Sequence, residues 1–186
     1  MAGPALRTLA QVVLLPLLLT GCTAMSPARP GAALQPANQV TLEARSWGRI
    51  LSGWSVGPEG EGAWYTRENE DGTLVPFGPY RITYRSFDAG PAGAAALAGQ
   101  LVALPDPVPD FAACENFMTD QVYGILRVTR GASTAETAWN EGCMDSDYAA
   151  FMDRLRAANT LVESWAASAP VERIVRYSED GAIVSE

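Results

Sequence analysis

The side chains available for chemistry are few, because the 186-residue sequence contains neither histidine nor lysine. Histidine is the commonest general base and a frequent metal ligand, so its absence excludes the usual serine and cysteine triads and histidine-ligated zinc sites. The absence of lysine excludes Schiff-base chemistry and lysine-containing phosphate-binding loops. Catalysis by carboxylates alone remains open. We therefore expect a protein that is not an enzyme, with no metal and no cofactor.

An almost unbroken apolar run over residues 9–19 follows the positive charge of Arg7. The run is shorter than the about 20 residues that a transmembrane helix needs, and it is typical of a secretory signal peptide. It ends in Leu19-Thr20-Gly21-Cys22, which resembles the lipobox of bacterial lipoprotein precursors. The resemblance implies cleavage before Cys22 and a lipid on its thiol, and acyl chains at ~0.8 kcal/mol per buried methylene would hold the protein on a membrane.

The residue after the lipidated cysteine bears on the destination of such proteins. In lipoproteins of this type an aspartate at that position implies retention at the inner membrane, whereas this chain has Thr23. The resemblance therefore implies the outer membrane, with the protein facing the periplasm. The alternative is a cleaved secretory signal in which Cys22 occurs by chance.

Two cysteines, Cys114 and Cys143, remain in what would be an oxidising compartment. An even pair in that setting predicts a disulfide, which closes a loop of about 30 residues and contributes about 3–4 kcal/mol. The other interpretation, a redox-active pair, lacks the close Cys-x-x-Cys spacing.

The charge distribution limits the partners. All 21 acidic residues follow position 22, and the basic residues, all arginines, form no cluster along the sequence. A net charge of −8 without a basic run makes nucleic acid an unexpected partner. The expected partners are a membrane, through the lipid on Cys22, and an envelope protein or glycan.

The chain divides into four parts by composition. We predict a signal peptide over 1–21, a lipidated, proline-punctuated tether over 22–42, a folded domain over 43–178 and a polar tail over 179–186. Within the domain, apolar periodicity and turn residues predict strands, two helices and a hairpin. In chain order these are strands at 47–56, 63–67 and 80–87, a helix at 91–104, a hairpin at 122–141, a helix from Asp145 to about 168 and a strand at 171–177. This order predicts an α+β fold, in which one antiparallel sheet carries two helices on one face.

The strand at 80–87 alternates in polarity, which predicts one buried and one solvated face. We expect Tyr80, Ile82 and Tyr84 to face the core, and the two arginines of the strand to face solvent. The possible anion-binding cluster consists of these two arginines and two from other strands, and it would bind an anionic sugar or a phosphate: Arg49, Arg81, Arg85 and Arg127. The alternative is a solvated face with cross-strand ion pairs. Its acidic partners would be Glu68, Glu136 and Glu141.

Three further groups of side chains could form sites, and each also has an ordinary structural role. A turn with Glu68, Glu70 and Asp71 could hold Ca²⁺, but its spacing differs from that of calcium loops. The tryptophans could line a sugar or peptide groove or belong to the core: Trp47, Trp54, Trp64, Trp139 and Trp165. The loop acids near the cysteines could converge as a catalytic pair, or could serve solubility and helix capping, with Asp145 as the cap: Asp106, Asp110, Glu115, Asp120 and Asp145.

The segment around the two cysteines also resembles a known family. Cys114-Glu115-Asn116-Phe117, and later Gly142-Cys143 before a helix, are similar to the META-domain heat-shock lipoproteins, which carry a Cys-Asn start, a second cysteine and a following helix. In this chain Glu115 separates the cysteine from the asparagine. The resemblance implies no catalytic residue, since that family offers no catalytic site.

Taken together, these patterns predict a lipid-anchored protein of the bacterial cell envelope that acts as a non-enzymatic accessory or binding module. The first alternative is a carboxylate-dependent enzyme acting on envelope glycans. A second alternative is an inhibitor or structural clamp that uses the edges of the sheet.

The lipobox gives a direct prediction for Cys22→Ala. The substitution removes the only thiol at the predicted cleavage site, so the variant should remain an uncleaved or soluble precursor. Uptake of labelled palmitate and fractionation with membranes measure this, with Cys114→Ala as the control that retains the lipobox. A Cys22→Ala variant that still takes up palmitate would show that the lipoprotein interpretation is wrong.

Overall fold

The computed structural model describes residues 37–73 and 77–185. The predicted signal peptide, Cys22 and most of the predicted tether lie outside these residues. Among the helices of the described part, none is long and apolar enough to cross a membrane.

The described residues form one antiparallel sheet of eight strands with two helices on one of its faces. The strands are β1 Gln39–Ser46, β2 Arg49–Val56, β3 Glu61–Asn69, β4 Tyr80–Asp88, β5 Tyr123–Arg130, β6 Ser133–Asn140, β7 Val171–Tyr177 and β8 Ile183–Ser185. The helices are α1 Gly90–Val102 and α2 Ser146–Ala167, and a short 3₁₀ helix spans Phe111–Ala113. The order across the sheet is β6-β5-β1-β2-β3-β4-β7-β8, which confirms the predicted fold class.

The two helices lie on the same face, and each connects distant strands of the sheet. Helix α1 joins β4 to β5, and α2 joins β6 to β7 across the whole width between them. With 22 residues at about 1.5 Å each, α2 is about 33 Å long, and six strand spacings of about 4.8 Å give about 29 Å. Its ends accordingly reach opposite strands. Tyr148 Oη accepts a hydrogen bond of 2.8 Å from the backbone N–H of Asn140 in β6, and the ring of Trp165 lies 5.9 Å from that of Phe87 in β4.

The core lies between α2 and the sheet. Side chains at helical spacing along α2 are fully buried, and each large one stabilises the fold by about 1.5–3 kcal/mol: Tyr148, Phe151, Met152, Leu155, Ala158, Val162 and Ala166. The sheet contributes alternate residues of five strands together with β6: Val40, Leu42, Ala44, Trp54, Val56, Trp64, Phe87, Leu126 and Trp139.

The first strand begins earlier than the sequence indicated. We placed the tether up to residue 42 and the domain from 43, but β1 begins at Gln39 and lies in the interior of the sheet between β5 and β2. Every second residue of β1 is buried, namely Val40, Leu42 and Ala44. The sequence thus contains the alternation of a strand, but in a short run that resembles a polar linker. At the other end, β8 occupies part of the predicted polar tail.

The faces of β4 are the reverse of the expectation. Phe87 lies under Trp165 on the helix side, and strict alternation then places Arg85, Thr83 and Arg81 on that side too. Tyr80, Ile82 and Tyr84, which we expected to face the helix-covered core, lie on the opposite face. The pattern identified the strand correctly but could not identify which of its faces the helices cover.

Three strand glycines each lie opposite an aromatic residue on the neighbouring strand. The pairs are Gly53 with Tyr65, Gly62 with Phe87, and Gly124 with Trp139. In each pair the ring lies over the glycine, so an added Cβ would meet ring atoms; at Gly124 it would lie 2.6 Å from the indole of Trp139. These glycines therefore make room for large side chains that cover the sheet.

This packing predicts that Gly124→Val destabilises the fold. The added side chain meets the backbone carbonyl of Glu43 as well as the indole of Trp139, so both must shift, and we expect a loss of about 1–3 kcal/mol in the free energy of unfolding. Gly99→Ala is the control, because a Cβ at this exposed position on α1 meets nothing within 4 Å and alanine should stabilise the helix by up to about 1 kcal/mol. Denaturant unfolding measures both, and equal stability of the two variants would contradict the packing argument.

Candidate functional site

The face of the sheet opposite the helices, here called the open face, carries most of the tyrosines of the protein. Five of the six tyrosines in the sequence alternate onto it, and only Tyr148 lies in the helix-covered core. The five come from β3, β4, β5 and β7: Tyr65, Tyr80, Tyr84, Tyr123 and Tyr177. Arg67 and Arg173 lie among them.

The tyrosines of β4 and β7, together with Arg67 and Arg173, form a roof around two apolar residues. Ile82 and Val175 are direct cross-strand partners on the open face and are only 8% and 1% exposed, although no helix lies over them. Nearby, the rings of Tyr80 and Tyr177 stack with their centroids 4.8 Å apart. Aromatic and guanidinium side chains thus exclude water where a second layer of helices would otherwise be needed.

Two cation–π contacts fix the arginines on this roof. The guanidinium of Arg67 lies 3.6 Å from the ring centroid of Tyr80, and that of Arg173 lies 4.4 Å from the ring centroid of Tyr84. Burial lowers the pKa of Arg67, with the nearby charge of Arg49 acting in the same direction. Arg67 is half-buried and Arg173 is exposed, so Arg173 can reach a partner molecule.

Tyr65 lies at the centre of the face. Its ring lies over Gly53 and is 6.1 Å from that of Tyr84. Burial, with a smaller contribution from the carboxylate of Glu43, raises the pKa of Tyr65 to about 12. The phenol is therefore neutral at physiological pH.

The composition of the open face suits recognition of another macromolecule. Tyrosine and arginine are enriched where protein interfaces gain most of their binding energy, because they combine large area with polar ends. The roof also has a structural role in covering Ile82 and Val175. The alternation of β4 predicted that Tyr80, Ile82 and Tyr84 face the core, so the sequence pattern did not indicate this surface.

The four arginines proposed as an anion-binding cluster do not come together. Arg81 and Arg85 share the helix-side face of β4, as their spacing predicted. Arg127 lies on the open face of β5, four strand spacings or about 19 Å away. Arg49 lies at the start of β2, where it donates a 3.0 Å hydrogen bond to the carbonyl of Glu179.

Most of these arginines have partners within the protein, as the alternative interpretation predicted. Arg81 pairs with Glu68 at 2.5 Å and Arg127 with Glu136 at 2.6 Å, both across neighbouring strands. Arg85 donates to the carbonyl of Ala169, just beyond the end of α2, where a cation is favoured by the helix dipole. Glu141 pairs with Arg156 of α2 and not with a strand arginine.

The acidic turn considered for Ca²⁺ has separate partners for each carboxylate. Glu68 pairs with Arg81, and Glu70 lies 3.9 Å from Arg176. Asp71 accepts hydrogen bonds from the backbone N–H and hydroxyl of Thr73, which lower its pKa. The three acids act as turn and surface residues in this arrangement.

The tryptophans belong mainly to the core. Trp54, Trp64 and Trp139 are buried, and Trp54 Nε1 donates a 3.0 Å hydrogen bond to Asn159 of α2. Trp165 is half-buried against Phe87. Trp47 differs, because it is 57% exposed in the β1–β2 turn at a positive φ of 51°, a conformation that is strained for a bulky residue.

The expected disulfide is present between Cys114 and Cys143. Their Cα atoms lie 5.8 Å apart, within the range of about 4.4–6.8 Å that the bond requires. The disulfide links the segment before β5 to the segment before α2. The same two segments also form an isolated β-bridge between Phe117 and Cys143. With Asp145, the two sulfurs form a group whose possible metal-ligand atoms all lie within 4.8 Å of one another, but cysteines joined in a disulfide do not offer thiolates.

Asp145 does not cap α2 in the way that we predicted. It occupies the cap position, but its side chain makes no capping hydrogen bond to the helix. Instead, its carboxylate accepts hydrogen bonds of 2.9 and 3.2 Å from the backbone N–H groups of Glu115 and Asn116, and one of 3.0 Å from the Asn116 side chain. The neighbouring disulfide places these donors within reach, and they displace the local capping interaction.

The loop acids accept local hydrogen bonds or are exposed. The hydrogen bonds from Glu115 and Asn116 lower the pKa of Asp145, whereas a catalytic acid needs a raised pKa. Asp110 accepts a 2.9 Å hydrogen bond from the N–H of Ala112 and caps the 3₁₀ helix. Asp106, Glu115 and Asp120 are exposed.

The role of Asp145 predicts a pH-dependent effect of Asp145→Asn. Because the folded pKa lies below the ordinary value of 3.8, the stabilisation is present above that value and is lost as the pH falls through the folded pKa. We expect a lower melting temperature at pH 7 and a shrinking difference in acid. Glu163→Gln, an exposed charge removal on α2, is the control, and a difference that persists unchanged at pH 2 would contradict the role.

Comparisons with known proteins place no constraint on this arrangement. No family model, no curated protein and no solved structure matches the chain.

Proposed function

We propose that the protein is a lipid-anchored, non-enzymatic binding module of the bacterial cell envelope, probing its surroundings with the open face of the sheet. The observation that carries the proposal is the concentration of four tyrosines and two arginines on the neighbouring strands β3, β4 and β7 of the open face. The partner that we propose is an envelope protein with an acidic surface.

The proposed location rests on the sequence. Leu19-Thr20-Gly21-Cys22 and the preceding apolar run support lipidation at Cys22, and Thr23 supports the outer membrane, with the domain facing the periplasm. A disulfide between Cys114 and Cys143 is in keeping with an oxidising compartment. The residues before Gln39 would connect the anchor to the domain.

The proposed partner follows from charge and shape. The chain as a whole is acidic, with a net charge of −8, yet the exposed cation Arg173 lies on the open face, and its guanidinium is oriented by Tyr84. A planar guanidinium held on an aromatic ring keeps its N–H edge available for a carboxylate. An acidic protein surface would meet these donors, while the tyrosines would supply contact area with little loss of side-chain entropy.

The alternative function, a carboxylate-dependent enzyme acting on envelope glycans, has less support. Such an enzyme needs two carboxyl groups about 5 Å or about 7–9 Å apart, one of them with a raised pKa. The best-placed loop acid, Asp145, is engaged by three hydrogen-bond donors, and its pKa is lowered.

A charge reversal on the open face tests the proposed surface. In native membranes, crosslinking to the partner should fall about tenfold or more in Arg173→Glu, because like charges replace opposite ones across the interface. Arg154→Glu makes the same change at an exposed position on α2, on the other side of the sheet, and should leave the yield unchanged.

Two outcomes would contradict the proposed binding surface. If Arg173→Glu retains the full crosslinking yield at an unchanged melting temperature, the open face is not the binding surface. Equal losses in Arg173→Glu and Arg154→Glu would show that net charge, and not this face, controls capture.

A further inference from the structure

Helix α1 is unusual in this acidic protein, because none of its 13 residues carries a charge. Leu97 is its one buried residue, and Val102 near its end is 70% exposed. A surface helix normally presents charged residues to water and an apolar stripe to the core. The apolar surface of α1 is therefore larger than its packing against α2 and the sheet uses.

A groove of about 310 Å³ lies between α1 and the sheet. Its walls come from β1, β2 and α1, and they are aliphatic or small: Val40, Val56, Ala94, Leu97, Ala98 and Leu101. No acidic side chain from residues 37–73 or 77–185 lines it. The volume lies at the lower end of the about 300–1,000 Å³ that is usual for small-molecule sites.

Among the described residues, the only charged one that lines the groove is Arg130, at the end of β5. Its Nε atom is buried and has no hydrogen-bond partner in this part of the chain. A guanidinium keeps its charge when buried, and a buried donor without an acceptor is costly. No ion pair to Arg130 occurs within the described ranges of the chain. Among the described residues, the groove thus combines apolar walls with one cationic side chain.

We propose that this groove binds a fatty acid, whose carboxylate pairs with Arg130 and whose alkyl chain lies beneath α1. A carboxylate can accept hydrogen bonds from the two terminal nitrogens of one guanidinium, so the pairing does not need access to the buried Nε. The alkyl chain would cover apolar surface of Leu97 and Leu101. The groove lies on the helix side of the sheet, so the proposal is independent of the open face.

The chemistry selects a free fatty acid over other lipids. Acyl chains attached to Cys22 would end in amide or ester groups, which carry no negative charge for Arg130. A two-chain lipid exceeds what a groove of about 310 Å³ can enclose. Sugars and peptides need several polar partners, whereas the groove walls offer the polar side chain of Arg130 alone.

Calorimetric titration of the full chain with dodecanoate and with its methyl ester tests the proposal. We expect dodecanoate to bind about tenfold more tightly than the ester, because the ester lacks the charge-assisted hydrogen bonds. Arg130→Gln should weaken dodecanoate binding about tenfold and remove this preference, while Arg154→Gln should change neither.

A second pair of variants tests the position of the alkyl chain. Ala98 lines the groove, so Ala98→Phe should weaken binding of both the acid and the ester, whereas Ala96→Phe, at an exposed position of α1 outside the groove, should not. If Arg130→Gln fails to fold, the acid-to-ester preference of the unmodified protein and the alanine pair still decide the matter. Equal affinity for acid and ester, no binding of dodecanoate, or unchanged binding in Ala98→Phe would overturn the proposal.

Discussion

Burial of the α2 stripe against the sheet is the interaction on which the other features depend. Because α2 crosses from β6 to β7, its buried side chains contact strands that are far apart in sequence, and they determine which face of every strand is apolar. Phe87 must lie beneath Trp165, and this one contact fixes the orientation of all of β4. The tyrosines of β4 are on the open face as a consequence.

A sheet with helices on one face leaves the other face exposed to water. Ile82 and Val175 nevertheless become buried, because tyrosine rings and arginine stems close over them. Such side chains cover apolar residues while keeping hydroxyl and guanidinium groups at the surface. The same arrangement therefore stabilises the sheet and provides the surface that we propose for binding, and the two roles are compatible in a single set of residues.

On the helix side of the sheet, the two helices differ in how much of their apolar surface is buried. Helix α2 packs closely, whereas α1 buries a single leucine and leaves an apolar groove beside the unpaired Nε of Arg130. Several other arginines pair with carboxylates, carbonyls or aromatic rings. The proposed fatty-acid site rests on the apolar walls and on the charge of Arg130 beside them. A ligand with an apolar chain and one negative end would fill the groove and pair with this charge.

The sequence by itself determined the fold class, the strands from β2 to β7, both helices and the pairing of Cys114 with Cys143. These follow from local periodicity, turn residues and the count of cysteines, all of which act over short stretches or by elimination. It did not reveal β1, whose weak alternation follows a linker-like segment, or the partner of Asp145, which comes from a loop 30 residues earlier. It also gave the wrong face for Tyr80 and Tyr84. A period of two places neighbours on opposite faces, but which face is covered depends on where α1 and α2 cross the sheet, and only the tertiary structure decides that.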